Sequence, residues 1–496
     1  MKNPHPSKSG LSGAPGFHPL QLVTLTALFT AVALTCLKRK LFVLGADLWW
    51  HLKVGDWIVQ HGAFPHNGIL SRTAADRPWI AYSWAYEVVL SRAYAWFGLI
   101  GIGVFGTALT LMVVFSVFWM TRRLSGRFWP ACLLTAVCCY SFLLLRIVPR
   151  PGFFSIALFC VVLTLVLEAN RTGQVQKLYW LPAVFLLWAN LHIQFIYGLA
   201  VVGLLLTVSV AQQLAPSYFV PRSLPPVRVA IVLALCVLAT MVGPYSYHLY
   251  GVIFRYSQAN VPYAMVQELQ PFRLRTYSNY AELLLAAAAF LMVGWQKKLD
   301  FFKLALLALA SVLAYRTMRD TWVLCSAAVA CIADTAFANR ESESRETPLR
   351  FGAVFAAVVL LATLGAHSVG FNERSLQRAI SDLFPVDAAN FLRQNSPPGP
   401  LWNIFDWGGF LSWYLPQYPV ALDGRTDLYG DEQLKRFHDT ENGDAAYRSD
   451  PYLNESGVVL LRRRDGLVRL LENDPRFDKV YEDEIASVFV RVRANR

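Results

Sequence analysis

The sequence predicts a polytopic α-helical membrane protein of about eleven transmembrane helices that carries a C-terminal α/β domain. Three observations lead there. Of 496 residues, 55% are hydrophobic and 14% aromatic against 16% charged, a bias that suits lipid-facing surface. Apolar segments near the length needed to cross about 30 Å of hydrocarbon recur along the chain. Lys and Arg concentrate in alternate loops, the signature of a fixed orientation in a membrane.

Residues 1–18 read as an inner, cytoplasmic tail. The first span, 19–36, lacks a small-residue cleavage site and is expected to remain as an anchor. A large outer loop with an amphipathic approach to the next span, 37–96, follows. The other spans are 97–120, 129–146, 152–168, 178–191, 195–214, 228–243, 279–296, 301–315, 321–338 and 350–370, completing a membrane module over 19–370. The short spans 178–191 and 301–315 suit helices buried among others. With the tail inside, the inner loops hold Arg122, Arg123 and Arg127; Arg171 and Lys177; Arg222 and Arg228; Lys297, Lys298 and Lys303; and Arg340, Arg345 and Arg350. Lys38, Arg39 and Lys40 break the rule, lying on the outer side. Residues 244–278 form a second long outer loop, whose tyrosines suit the headgroup level.

Residues 371–496 follow an α/β pattern and are expected on the outer, periplasm-like face. A helix-like stretch, 373–395, stops at NSPPGP. LWNIF reads as a strand, GGFLSWYLP as a short helix, YPVALDG as a second strand and DEQLKRFHD as a helix; VVLLRR, GLVRLLEND and SVFVRVR continue strand, helix, strand.

A formal charge of +12 invites a nucleic-acid reading, but residues 371–496 carry −4 and the membrane part +16. The excess base is therefore topological and no nucleic-acid partner is expected. All eight cysteines, Cys36 to Cys331, lie in apolar spans, so neither a disulfide framework nor a zinc cluster is supported. The phosphate loop, the H-E-x-x-H motif and the G-x-S-x-G elbow are absent, which removes the usual supports for ATP-driven transport and serine hydrolysis.

The stretch GADLWWHLKVGDWIVQHGAFP, 45–65, carries the sharpest signal. Wound as a helix, it places Lys53, Asp56 and Gln60 on a polar side with Trp49 beside them. Asp47, His51 and Gly55, spaced i, i+4, i+8, fall on the face the helix should bury, Gly55 leaving room beside the other two. An ionisable group kept there is costly unless it has a partner or a task. A helix cap by Asp47 and a loop hydrogen bond from His51 is the structural alternative.

The rest of the loop adds Arg72, Arg77, Trp79, Tyr82, Trp84 and Glu87; aromatic faces beside carboxylates suit a sugar ring and equally a membrane interface. At RIVPRPGFF, Arg146 and Arg150 offer guanidinium forks for a lipid phosphate, or snorkel to headgroups. Arg316, Arg319 and Asp320 form another outer turn, with the same two readings. Asn190 and His192 sit at an outer tip, to bind a hydroxyl or satisfy broken helix ends. Asp406, Asp423, Arg425, Asp427 and Tyr429 lie near strand ends, where α/β folds gather ligand groups.

A carboxylate soon after the first span, a long first outer loop, many spans and an outer C-terminal domain together resemble the GT-C superfamily of polyprenyl-phosphate-sugar glycosyltransferases. ADLWWHLKVGDWIVQHG is similar in spacing to the first-loop aspartate region of oligosaccharyltransferase catalytic subunits. NIFDWGGFLSWYLPQYPVALDGRTDLYG resembles their tryptophan–aspartate–glycine segment. RPGFFSIALF and LLWANLHIQFIYGL resemble segments of bacterial membrane proteins assigned to this superfamily. The resemblance implies that Asp47 is the carboxylate that orients or activates the acceptor, often with a divalent metal such as Mg or Mn, and that Asp406 and Trp407 belong to acceptor binding. One departure stands out: IVPRPG lacks the acid that family members often carry in the next outer loop.

The expectation is a multi-pass enzyme of a bacterial inner membrane, passing a sugar from a polyprenyl-phosphate lipid to an acceptor on the outer face. Asp47 would be general base or metal ligand and His51 its catalytic partner. Arg146, Arg150, Arg316, Arg319, Asp320, Trp79, Trp84, Asp406, Trp407, Asp423 and Arg425 would bind substrate. A secondary transporter or lipid flippase would instead line a midplane path with Glu168, Glu282 and Asp334. A non-catalytic assembly subunit would tolerate the loss of Asp47.

Overall fold

A computed structural model describes residues 19–142, 148, 150–214, 224–336 and 351–492. Each apolar segment coincides with a helix. The membrane part runs α1 (Pro19–Arg39), α2 (Ala46–His61), α3 (Trp84–Ser125), α4 (Phe128–Phe142), α5 (Gly152–Thr172), α6 (Leu181–Leu191) and α7 (Phe195–Leu214). It continues with α8 (Pro226–Thr240), α9 (His248–Gln258), α10 (Val261–Met265), α11 (Tyr277–Gly294), α12 (Phe301–Arg316), α13 (Thr321–Ala336) and α14 (Phe351–Ser368). Among the described residues six helices, α1, α3, α5, α7, α11 and α14, are long and apolar enough to cross a membrane, and α4 and α8 are shorter apolar helices.

The core of this part is α13, buried at every residue but its last. Its sequence, TWVLCSAAVACIADTA, is rich in Ala, Ser and Cys, and small side chains let helix backbones approach closely. α3, α4, α5, α11 and α12 pack around it. By contrast α14 packs on α1 and exposes Phe355, Leu360 and Leu364, as lipid-facing residues should. α3 is two helices merged across Gly98, whose φ of 59° needs glycine. The break falls where the amphipathic approach was expected to meet the span, and Trp96 and Phe97 stand exposed beside it, as in an interfacial aromatic belt.

Two of the three acids considered for a transport path have other employment. Glu168 pairs with Arg123 and Lys177, both at 2.7 Å. Asp334 pairs with Arg171 and Lys303, again at 2.7 Å. Glu168 and Asp334 thus tie together helix ends that carry the predicted inner loops.

The C-terminal unit comprises α15 (Glu373–Ser381), α16 (Val386–Asn395), β1 (Leu401–Asn403), α17 (Phe405–Tyr414), α18 (Thr426–Glu441), α19 (Pro451–Glu455), β2 (Val458–Arg462), α20 (Gly466–Leu471), β3 (Phe477–Glu482) and β4 (Ala486–Arg491). The sheet order is β1-β2-β4-β3, with β1 parallel to β2 and the other pairs antiparallel. Two expectations need correction. YPVALDG is no ladder strand: Asn403 bonds Ala421 and Leu422, and Arg72 N–H donates to the Val420 carbonyl at 2.8 Å. The side chain of Asn403 and the loop 37–96 take the place of a strand partner. β3, FDKVYE, went unread because it is an edge strand with four of its six residues exposed, which leaves no apolar alternation to detect.

The loop 37–96, predicted to be outer, is welded to this unit. Trp49, fully buried, stacks on Trp413 at 4.5 Å and meets Phe410 and Phe384 edge-on at 5.6 and 5.8 Å. The helix face beside the polar stripe is therefore covered by the C-terminal unit. Trp49→Ala is expected to cost about 3–5 kcal/mol, the range for emptying a large aromatic site. Thermal unfolding of the purified protein measures this, and an unchanged midpoint would contradict the packing.

Candidate active site

Asp47 occupies the first turn of α2, where the positive end of the helix dipole favours a carboxylate. The Trp50 indole N–H donates to its Oδ1 at 3.1 Å. Burial pushes the Asp47 carboxyl above its ordinary range; Arg150 opposes that rise and Glu268 adds to it. The side chain is half-buried. Gly424 makes space for it: a Cβ there would lie 2.3 Å from Asp47 Oδ1 and 3.0 Å from the Trp50 indole nitrogen.

His51, one turn on, is 5% exposed. Its Nδ1 lies 2.9 Å from Glu87 Oε1, and its ring tilts on Trp50 with centroids 3.6 Å apart. Burial, aided by His192, Arg150 and Arg425, holds its pKa well below the usual value, so the imidazole is neutral at pH 7. Gly55 lies against α3, where a Cβ would meet the Glu87 carbonyl oxygen at 2.0 Å. On the i, i+4, i+8 face His51 and Gly55 are buried toward α3, while Asp47, half-buried, lies toward the C-terminal unit.

Other predicted outer loops converge on Asp47. Arg150 forms an ion pair with Glu268, the one acid in the loop 244–278. Burial opposes the Arg150 charge, but Glu268 and Asp47 outweigh it and raise its pKa. Arg319 is near enough to repel Arg150. Its Nε is 3.9 Å from Asp320, whose carboxylate is already engaged by Gln194 at 3.0 Å, Tyr197 at 2.7 Å and Thr317 at 2.9 Å. Arg319 keeps 39% of its side chain accessible and, among the described residues, makes no direct hydrogen bond to protein, its buried Nε included. Burial works against its charge, and Asp320, Tyr197 and Glu268 restore it. Arg319 is therefore a stable cation with unspent donors.

A third group lies alongside. Tyr256 OH is 3.4 Å from Tyr82 OH and donates to Asp427 Oδ1 at 3.4 Å. Burial pushes the Asp427 carboxyl up to about 6. His192, pushed down to about 3 by burial and Arg319, bonds Ser155 at 2.7 Å.

The remaining candidates are more dispersed. Arg146 lies outside the described residues. Arg316 is exposed, 5.3 Å over the Tyr263 ring. Trp84 donates to Asn190 at 3.0 Å, and Asn190 donates to the Leu186 carbonyl within α6 and to the Val242 carbonyl just past α8. Asp423 and Arg425 form a fully buried pair at 2.6 Å, with Arg425 4.7 Å over Trp79. Such closure fixes the loop that carries Gly424 and Asp427 and leaves these two side chains no exposed surface to offer substrate. Asp406 pairs with Arg462, which also covers buried Trp407 at 5.8 Å; Asp406 is close enough to add to the rise at Asp47.

Glu268, Tyr256, Gln194, Tyr197 and Gly424 were not singled out from sequence. The only available signal was that Glu268 is a lone acid in a long outer loop. Mg and Mn fit this donor set poorly. Among the described residues no group of three or more His, Cys, Asp or Glu is placed to hold a metal ion, whereas hard cations take several oxygen ligands. The cation facing Asp47 is instead the Arg150 guanidinium.

No protein-family model and no curated protein matches the chain. Solved structures do. The chain is similar to the arabinofuranosyltransferase AftD from Mycobacteria, at 11% identity and a TM-score of 0.51 over 97% of this chain and 40% of that one. It also aligns with ArnT from Cupriavidus metallidurans bound to undecaprenyl phosphate, at 13% identity and a TM-score of 0.49 over 94% and 98% of the two chains. The chain thus spans about two fifths of the length of AftD. At such identity the likeness is one of fold alone.

Proposed function

We propose that this protein transfers a sugar from a polyprenyl-phosphate lipid to an acceptor hydroxyl at the outer face of a bacterial inner membrane. What supports this most is a chain of neighbouring groups: a half-buried carboxylate of raised pKa near the Arg150 guanidinium, which in turn lies near Arg319 with its unspent donors. The groups come from loops that the charge pattern puts on one side. Asp47 takes the proton of the acceptor hydroxyl as its oxygen bonds to the anomeric carbon. The sugar–phosphate bond breaks and its electron pair leaves on the lipid phosphate, which Arg150 and Arg319 neutralise. His51, neutral and locked to Glu87, holds α2 and so positions Asp47. Asp406 and Trp407 lie toward the acceptor side, held by Arg462. A fold shared with a sugar transferase is consistent with this chemistry.

The same reading takes all eleven segments as spans and residues 371–496 as extracytoplasmic. Reporter fusions at residues 125 and 260 test it: signals from opposite sides are expected, and the same side for both would break the topology. For the chemistry, the purified protein is given a panel of polyprenyl-phosphate sugars and release of lipid phosphate is followed. Turnover of at least one donor is expected. No release from any would remove the transferase reading.

A further inference from the structure

A cavity of about 340 Å³ opens where the loop 37–96 meets the C-terminal unit, apart from Asp47; Arg77, Tyr429, Gln433, Arg436 and Tyr452 line it. Its volume lies within the usual range for small-molecule sites. The chain builds it by interrupting α18 at Gly430, where φ is 74° and ψ 165°. Before the break the Tyr429 carbonyl accepts from Arg77. After it, Gln433 turns inward.

Gln433 is 4% exposed. Its amide nitrogen donates to Thr73 Oγ1 at 2.7 Å, while its buried Oε1 has no donor among the described residues. A buried acceptor left unpaired is costly, and a ligand hydroxyl would satisfy it once a small turn of the Gln433 side chain brings it to the cavity wall. Arg77 and Arg436 add guanidinium donors to the walls, and Tyr452, stacked on Phe437 at 5.2 Å, adds a fixed aromatic ring. Hydroxyls that both donate and accept, together with C–H faces that rest on a ring, are what a sugar presents. Asp431 and Glu432 also line the cavity and offset the two arginines, which disfavours a phosphate or other anion.

We propose that this cavity binds a neutral saccharide and serves as a subsite for the acceptor glycan; the second half rests on the transferase reading above. The full chain, in a detergent without a sugar headgroup, is titrated with neutral trisaccharides of glucose, mannose and galactose and with inorganic phosphate, and binding is read by ligand-observed NMR. At least one trisaccharide is expected to bind more tightly than phosphate. Gln433→Met and Arg436→Ala should each weaken it at least about fivefold, the scale of one lost hydrogen bond, and Arg436→Ala, at an exposed position, should keep the wild-type melting temperature. Asp47→Asn should bind saccharide as wild type does. No trisaccharide binding better than phosphate, or both cavity variants binding like wild type, would overturn the proposal. Saccharide binding that persists without donor turnover would instead overturn the transferase reading alone.

Discussion

Asp47→Asn is expected to lower turnover by about 10²- to 10⁴-fold, the contribution of a positioned general base, while the protein stays folded. Amide and carboxylate have nearly the same shape, so Trp50 keeps an acceptor at 3.1 Å but the base is gone. Stability should move the other way. Burial raises the Asp47 pKa in the folded state, so the folded form favours the protonated acid. The associated stability is fully present below the ordinary carboxyl value of 3.8 and is lost as pH rises through the elevated one. Asn removes that loss, so at neutral pH the variant should melt no lower than wild type. The wild-type rate should fall as pH is lowered through the same elevated pKa. Lipid-phosphate release across pH and thermal unfolding check both halves. Turnover equal to wild type would remove Asp47 from the chemistry and favour an assembly role. Gly424→Ala approaches the same carboxylate from the other side, since its Cβ would displace Oδ1.

How far the sequence reached depends on what kind of signal each feature leaves. The helices of the membrane part were legible because long apolar runs are written locally, and the break at Gly98 fell where amphipathic pattern gave way to uniform hydrophobicity. That Asp47 and His51 share the side of α2 turned toward protein was legible because helical periodicity alone put them there. The neighbours of Asp47 were not, because Glu268 lies 118 residues from Arg150 and no local pattern records a pairing at that separation. Trp49 shows the same limit: the wheel set it beside the polar stripe, and only the arrival of Phe384, Phe410 and Trp413 from the C-terminal unit buries it. The Asp423–Arg425 pair looked like ligand-binding groups because exposure at a strand end cannot be told from burial in a turn without the partner surface.

The turn YRTMRD presents two arginines that sequence alone treats alike, and the structure separates them. Arg319→Gln is expected to reduce turnover by about 10²- to 10³-fold, the cost of removing one preorganised donor to a developing charge. Its guanidinium has donors to spare, its nearest acid, Asp320, is occupied by Gln194, Tyr197 and Thr317, and its charge repels Arg150. Glu268 and Asp320 already offset part of the two charges, and the unspent donors of Arg319 remain for an anion such as a departing lipid phosphate. Arg319→Lys should restore part of the rate, because charge survives but the planar fork does not. Arg316, exposed over Tyr263, faces no such demand, and Arg316→Gln should lose at least tenfold less than Arg319→Gln. Single-turnover release of lipid phosphate measures all three variants. Equal losses at 316 and 319 would mean that the two arginines serve only the membrane surface, and Arg319 would lose its claim to the phosphate.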